Sequence, residues 1–231
     1  MRHRFLWILP IAAVCALLAQ PSPAMAGGGA HITDDDATLP AGVCQLESWL
    51  TFADNGRGLA VANPACTLKA LPRLEIATAV QSSWGEGGAT AIAPAVKLNL
   101  RSSEEAPIGI ALSAMAIWNP SSSRVETVAV NVPISTRASD RLVIHGNLGW
   151  IITPAGTDRD TLFLGVQAEY ELTPDLVLMG ELFSNDGGAA GGQAGLRWVR
   201  DRGRIDFDLL AGHRTDGTST SSVTLGFTIR R

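Results

Sequence analysis

Leu74-Glu75-Ile76-Ala77-Thr78-Ala79-Val80-Gln81-Ser82-Ser83-Trp84 alternates side-chain character with a period of two. Leu74, Ile76, Thr78, Val80 and Trp84 fall on one parity, and Glu75, Ala77, Ala79 and Gln81 on the other. Successive side chains of a strand point to opposite faces, so this stretch reads as a β-strand with one apolar face and one small or polar face. It is also about ten residues long, nearer the 9–11 of a tilted membrane-crossing strand than the five or six usual in soluble sheets.

The same period runs outward in both directions. Twelve segments show it, at 44–54, 58–69, 74–84, 89–101, 107–118, 124–136, 141–153, 159–171, 176–184, 191–199, 204–213 and 219–230. Leu142, Ile144, Leu148 and Trp150 oppose Val143, His145, Asn147 and Gly149, and Val223, Leu225, Phe227 and Ile229 oppose Thr224, Gly226, Thr228 and Arg230. Two all-β architectures produce such rows. A soluble sandwich turns the apolar row inward. A transmembrane barrel turns it outward to lipid and keeps polar residues inside.

The aromatic residues favour the barrel. Trp84, Trp118 and Trp150 stand at the C-terminal ends of odd-numbered segments, and Tyr170 and Trp198 at the ends of even-numbered ones. In an up-and-down barrel these ends lie at opposite membrane surfaces, so the five residues form two girdles on the lipid-facing row, as interfacial anchoring requires. The expected fold is therefore an up-and-down antiparallel transmembrane β-barrel of about twelve strands over 44–231. Trp49 shares parity with Gln45 and Glu47 and is expected inside. Connections after odd segments read as somewhat longer and richer in Gly, Asn and Ser than those after even ones, matching external loops against periplasmic turns.

The inward rows give a lumen lined by Glu47, Glu75, Lys97, Arg101, His145, Gln167, Glu169, Glu181, Arg197, Asp206 and Asp208. Barrels of eight strands are filled by side chains and those of sixteen or more hold a channel. Twelve lies between, so a narrow pore and a closed, salt-bridged interior both remain open; acids exceed bases, which favours cations or neutral solutes. In the first hairpin a loop centred on Asn55 sets Cys44 opposite Cys66, within disulfide reach. Two cysteines alone do not complete a metal ligand set. No Ser stands in a nucleophile context and no cofactor fingerprint is present, so the sequence reads as a non-enzyme without metal or cofactor.

Residues 1–26 have the three regions of a secretory signal: Arg2 and Arg4, an apolar run from Phe5 to Ala19, and Ala24-Met25-Ala26 before the cleavage point. Residues 27–43 are polar, with Asp34-Asp35-Asp36 beside His31, and read as a loose N-terminal periplasmic arm with solvated carboxylates. Losing Arg2 and Arg4 leaves sixteen of the eighteen bases against twenty-two acids, a net −6. An acidic chain is no nucleic-acid binder. Export plus a lipid-facing barrel places the protein in the outer membrane of a Gram-negative cell, with outer-membrane lipids as its partner.

Ile32-Thr33-Asp34-Asp35, Gly42 and Gln45-Leu46-Glu47 resemble the opening of the outer-membrane protein family of the MetA-pathway of phenol degradation, a family of transporter-like barrels. His145-Gly146-Asn147-Leu148-Gly149, Gly180-Glu181-Leu182, Gly195-Leu196-Arg197-Trp198, Asp206–Gly212 and Leu225-Gly226-Phe227 resemble its later strands. The resemblance implies uptake of hydrophobic or aromatic compounds and insertion by the barrel-assembly machinery, and carries over no catalytic or binding residue. Two features depart from it: the last aromatic is Phe227, ahead of Ile229-Arg230-Arg231, and the cysteine pair is not a feature of that family. The sequence thus points to a porin-like passive channel or transporter for a small solute. The alternatives are a non-conducting structural or adhesive envelope barrel and a secreted, soluble all-β binding protein.

Overall fold

A computed structural model describes residues 30–85, 88–154, 160–186, 190–215 and 219–231. The signal segment 1–26, residues 27–29 of the arm and residues 187–189 of the Gly-rich stretch lie outside the described residues. Twelve strands follow in chain order: β1 (Cys44–Ala53), β2 (Gly58–Thr67), β3 (Leu74–Trp84), β4 (Thr90–Arg101), β5 (Gly109–Asn119), β6 (Arg124–Ser139), β7 (Leu142–Ile152), β8 (Thr161–Thr173), β9 (Leu176–Asn185), β10 (Ala190–Arg200), β11 (Ile205–Thr215) and β12 (Ser219–Arg230). Each pairs antiparallel with its neighbours in sequence, and β1 pairs with β12, so the sheet closes on itself and leaves no edge. The largest departure from the expected spans is at the end of β6, expected at 136 and observed at Ser139.

The period-two rows sort as a barrel requires. Leu50, Val80, Leu164, Leu178, Leu209 and Leu225 are exposed on the outside. On the opposite parity, Glu47, Gln167, Glu181, Arg197, Asp206 and Asp208 are buried inside. A sandwich would have buried the apolar row, so the soluble reading is excluded by the direction of the side chains. Trp84, Trp118 and Trp150 are exposed on the outer row toward the C-terminal ends of β3, β5 and β7. Tyr170 and Trp198 are exposed toward the C-terminal ends of β8 and β10. At that second level Phe207 packs between Trp198 and Phe227, with ring centroids 6.3 and 5.3 Å away.

Both chain ends of the barrel lie at one rim, where Cys44 and Arg231 exchange backbone hydrogen bonds of 2.9 and 2.8 Å. This is called the near rim below, and the other the far rim. The far-rim connections are on average somewhat longer and richer in glycine than the near-rim ones, as the sequence suggested, but the trend has exceptions. Residues 102–108, at the near rim, form one of the longer ones, because this loop carries a binding role inside the barrel described below.

Three prolines lie within strands. Pro64 keeps its pairing with β1, but the β2–β3 register skips from Ala62 to Ala65. Pro94 keeps its pairing with β3 while the β4–β5 register skips from Ile92 to Ala95. Pro133 keeps its pairing with β7 while the β5–β6 register skips from Ile110 to Ser113. Each proline lacks the N–H that one side of its ladder would use. Two of the three interruptions fall on either side of β5.

Cys44 and Cys66 form the expected disulfide across the first hairpin, with Cα atoms 4.1 Å apart. Both cysteines are expected to resist maleimide labelling in the folded, non-reduced protein and to label fully after reduction in denaturant; labelling without reduction would contradict the bond. Leu164→Arg places a charge on the outer face in the body of β8 and is expected to cost about 2–4 kcal/mol of folding free energy if that face meets hydrocarbon. Urea titration of refolding into lipid vesicles measures this, and an unchanged midpoint would contradict the lipid contact.

Candidate functional site

The barrel is not hollow. Residues 30–39 enter it and cross its interior, so the segment that the sequence suggested as a loose periplasmic arm is bound along this length. The reason is hydrogen-bond satisfaction. The Glu181 carboxylate of β9 accepts the backbone N–H groups of Ile32 (3.1 Å) and Thr33 (2.8 Å). Asn147 of β7 accepts the Asp34 N–H (2.9 Å) and donates to the Asp34 carbonyl (2.7 Å), making the pair of bonds a strand neighbour would make. Ser135 Oγ accepts the Asp36 N–H (3.0 Å), Asn99 donates to the Asp36 carbonyl (2.6 Å), and Glu75 accepts the Leu39 N–H (2.9 Å). Gln193 donates to the Ala30 carbonyl (2.9 Å). A buried, irregular backbone must find such partners, and here inward side chains from β3, β4, β6, β7, β9 and β10 supply them.

Two of the three aspartates are withdrawn from solvent, and Asp34 keeps a partly exposed side chain. Asp35 and Asp36 are each 2% exposed. Lys97 of β4 bridges Asp34 and Asp35 at 2.8 and 2.6 Å. Asp36 accepts from the N–H and hydroxyl of Ser103 in the 102–108 connection, at 2.9 and 2.8 Å, which is the role of that longer loop. Two glycines make room for the segment. A Cβ on Gly109 would run into the Asp36 carboxylate, and one on Gly165 would lie 2.8 Å from Thr33 Oγ1.

A second polar cluster lies on the β8–β12 side. Arg197 bonds Asp208 through Nε at 2.8 Å and lies 3.8 Å from Glu169. Arg230 bonds Asp206 at 2.6 Å and Gln45 at 3.2 Å. Gln167 contacts His31 at 3.2 Å and Glu169 at 3.3 Å. His145 pairs through Nδ1 with Ser135 Oγ at 2.8 Å. That Ser–His contact is absorbed in holding Asp36 rather than presented at a surface. Trp49 faces inward, as its parity indicated, and packs on an apolar cluster of Ala30, Val177, Met179 and Leu210.

Of the eleven residues expected in the lumen, Glu47, Lys97, His145, Gln167, Glu169, Glu181, Arg197, Asp206 and Asp208 are buried inside. Glu75 is partly buried and bonded to the segment. Arg101 is exposed at the end of β4, beyond a register shift at Asn99, and lies outside this set; the bulge re-aims it. The residues left out of the expected lumen set are Asn99, Ser135, Asn147 and Gln193, uncharged groups that bind backbone, and Gly109 and Gly165. Their inward parity was legible, but nothing in the sequence said what they face.

Beside the segment runs a cavity of about 420 Å³. Its lining includes Gln45, Glu47 and Glu75, close to the near-rim ends of β1 and β3, and Ile151 and Phe163, close to the far-rim ends of β7 and β8. Inward alanines open it: Ala77 and Ala95 face each other across β3 and β4, and Ala129 and Gly149 continue the wall on β6 and β7. Segment residues His31–Asp34 and Ala37 form its remaining side.

A closed barrel whose outward row is apolar and whose interior is charged belongs in a bilayer, and in bacteria such barrels occupy the outer membrane. Solved structures agree on the fold. The COG4313 outer membrane channel from Pseudomonas putida F1 is similar with a TM-score of 0.66 at 10% identity, over 85% of this chain and 98% of that one. KdgM porin is similar with a TM-score of 0.63 at 8% identity, over 80% and 98%. The Ralstonia pickettii toluene transporter TbuX gives 0.54 at 9% identity, over 91% and 97%. No curated protein matches the sequence. The motif resemblance to the phenol-degradation family is therefore supported only at the level of an outer-membrane barrel. The family model that matches spans residues 13–231, and by it the chain belongs to the family described as uncharacterised conserved protein UCP029691.

Proposed function

We propose that this protein is a passive outer-membrane channel for small solutes with an apolar body, exported by its N-terminal signal and seated in the membrane by Trp84, Trp118, Trp150, Tyr170 and Trp198. The observation that carries the reading is the cavity that follows the bound N-terminal segment from the level of Glu47 and Glu75 to that of Ile151 and Phe163. A barrel filled for support alone has no need of a wall of inward alanines. Met115, Ile151 and Phe163 on the far-rim side would favour an apolar body, and the described resemblance to transporters of hydrophobic compounds, TbuX among the structural relatives, points the same way.

The bound segment favours a second reading, a barrel that does not conduct. Its backbone bonds to Glu181, Asn147, Ser135 and Glu75 close much of the lumen. Planar-bilayer recording and flux of small aromatic solutes into proteoliposomes separate the two. Solute flux above that of protein-free vesicles supports the channel. A folded, heat-modifiable barrel with neither conductance nor flux leaves the structural reading.

A further inference from the structure

We propose that the lumen cavity is a binding site for a small organic cation, an alkyl- or arylammonium, whose charged head is held by Glu47, Glu75 and Trp49; this deepens the channel reading and rests on it. The charges lining the cavity are unequal. Asp34, Glu47 and Glu75 face a single base, Lys97, and that base already bridges Asp34 and Asp35. Elsewhere in the lumen, Asp208 and Glu169 have Arg197 and Asp206 has Arg230, while Asp36 is held by hydrogen bonds from Ser103 and Asn99. Glu47 and Glu75 make no ion pair: Lys97, opposite Glu75 across β3 and β4, is turned to Asp34 and Asp35. Glu47, 4% exposed, accepts one hydrogen bond, from Asn63 at 3.3 Å. Glu75 accepts one, from the Leu39 N–H at 2.9 Å. Among the described residues neither has a lysine, arginine or histidine within ion-pair distance.

A buried carboxylate without a counter-charge is costly, and a ligand cation would remove that cost. Trp49 lines the same cavity two residues along β1 from Glu47, and an indole is the best side-chain face for a cation. His31 lines the cavity as well; its side chain is 2% exposed and its Nε2 has no hydrogen-bond partner. Ala77, Ala95, Met115 and Phe163 give the apolar surface for the body of the ligand. The volume of about 420 Å³ is in the range of small-molecule sites. Carboxylates, an aromatic face and an apolar wall around one space are the chemistry that recognises an amine, whereas an anion would meet three carboxylates against one committed lysine.

The test is calorimetric titration of the full mature barrel in detergent with three probes of nearly equal shape: benzylammonium, benzyl alcohol and benzoate. Benzylammonium is expected to bind at least about tenfold more tightly than benzyl alcohol, which is about 1.4 kcal/mol, with benzoate weakest. In Glu47→Gln/Glu75→Gln the preference for benzylammonium is expected to vanish while benzyl alcohol binding stays. Equal affinity for the three probes, tighter benzoate, or a preference retained in the double variant would overturn the site. Heat-modifiable migration checks that the variant folds; if it does not, Glu75→Gln and the wild-type probe series decide. Flux of the same probes is measured separately. Binding preference without flux overturns the channel and keeps the site, and flux without preference overturns the site alone.

Discussion

Deletion of residues 30–39 is expected to raise single-channel conductance several-fold over the wild type. The segment is a strap across the lumen, tied to six strands by bonds from its backbone, and nothing else among the described residues crosses that space. An interior wide enough for a water path is what remains when a twelve-stranded barrel loses its contents, since eight strands already suffice to enclose side chains. A point substitution should act the same way. Gly109→Leu puts a side chain where the Asp36 carboxylate sits, so the strap cannot take its place beside Ser103 and Asn99 while the strand pairing of β5 is kept. Planar-bilayer recording of both variants checks this. Conductance unchanged from wild type in both, with intact barrels, would show that the strap does not limit the path.

Arg197→Ala is expected to destabilise the barrel by about 3–5 kcal/mol, because removing one partner of a buried ion pair leaves the other charged and unpaired. Here the loss would strand both Asp208 and Glu169, which are 5% and 7% exposed. The cost is in desolvation, so restoring neutrality should recover much of it. Arg197→Met combined with Asp208→Leu is expected to be markedly more stable than Arg197→Ala, since an apolar pair of similar volume is often no worse than a buried salt bridge. Urea unfolding in detergent micelles compares the three proteins. If Arg197→Ala unfolds at the wild-type midpoint, the lumen is wet enough to screen these charges, and the ion pairs of the β8–β12 side do not hold the barrel together.

Much of the architecture is legible in the sequence alone. Alternation alone placed twelve strands, and the parity of Leu74, Ile76 and Val80 against Glu75, Ala77 and Gln81 placed the two faces, because a strand has no other way to arrange its side chains. The pairing of Cys44 with Cys66 followed from hairpin register for the same reason. Arg101 was misplaced because a bulge changes parity without leaving a mark in composition.

The chain by itself determined the strands, their faces, the closure into a barrel and the charged character of the interior, since these follow from local geometry repeated along the sequence. Only the tertiary structure decided what fills that interior. Asp34-Asp35-Asp36 looks like any solvated acidic run until Lys97, Ser103 and Asn147, distant in sequence, are brought around it. Glu47 and Glu75 look like any other inward acids until Arg197 and Arg230 are seen to be taken by others. Pairing across a lumen depends on which strands face one another, and period two says nothing about that.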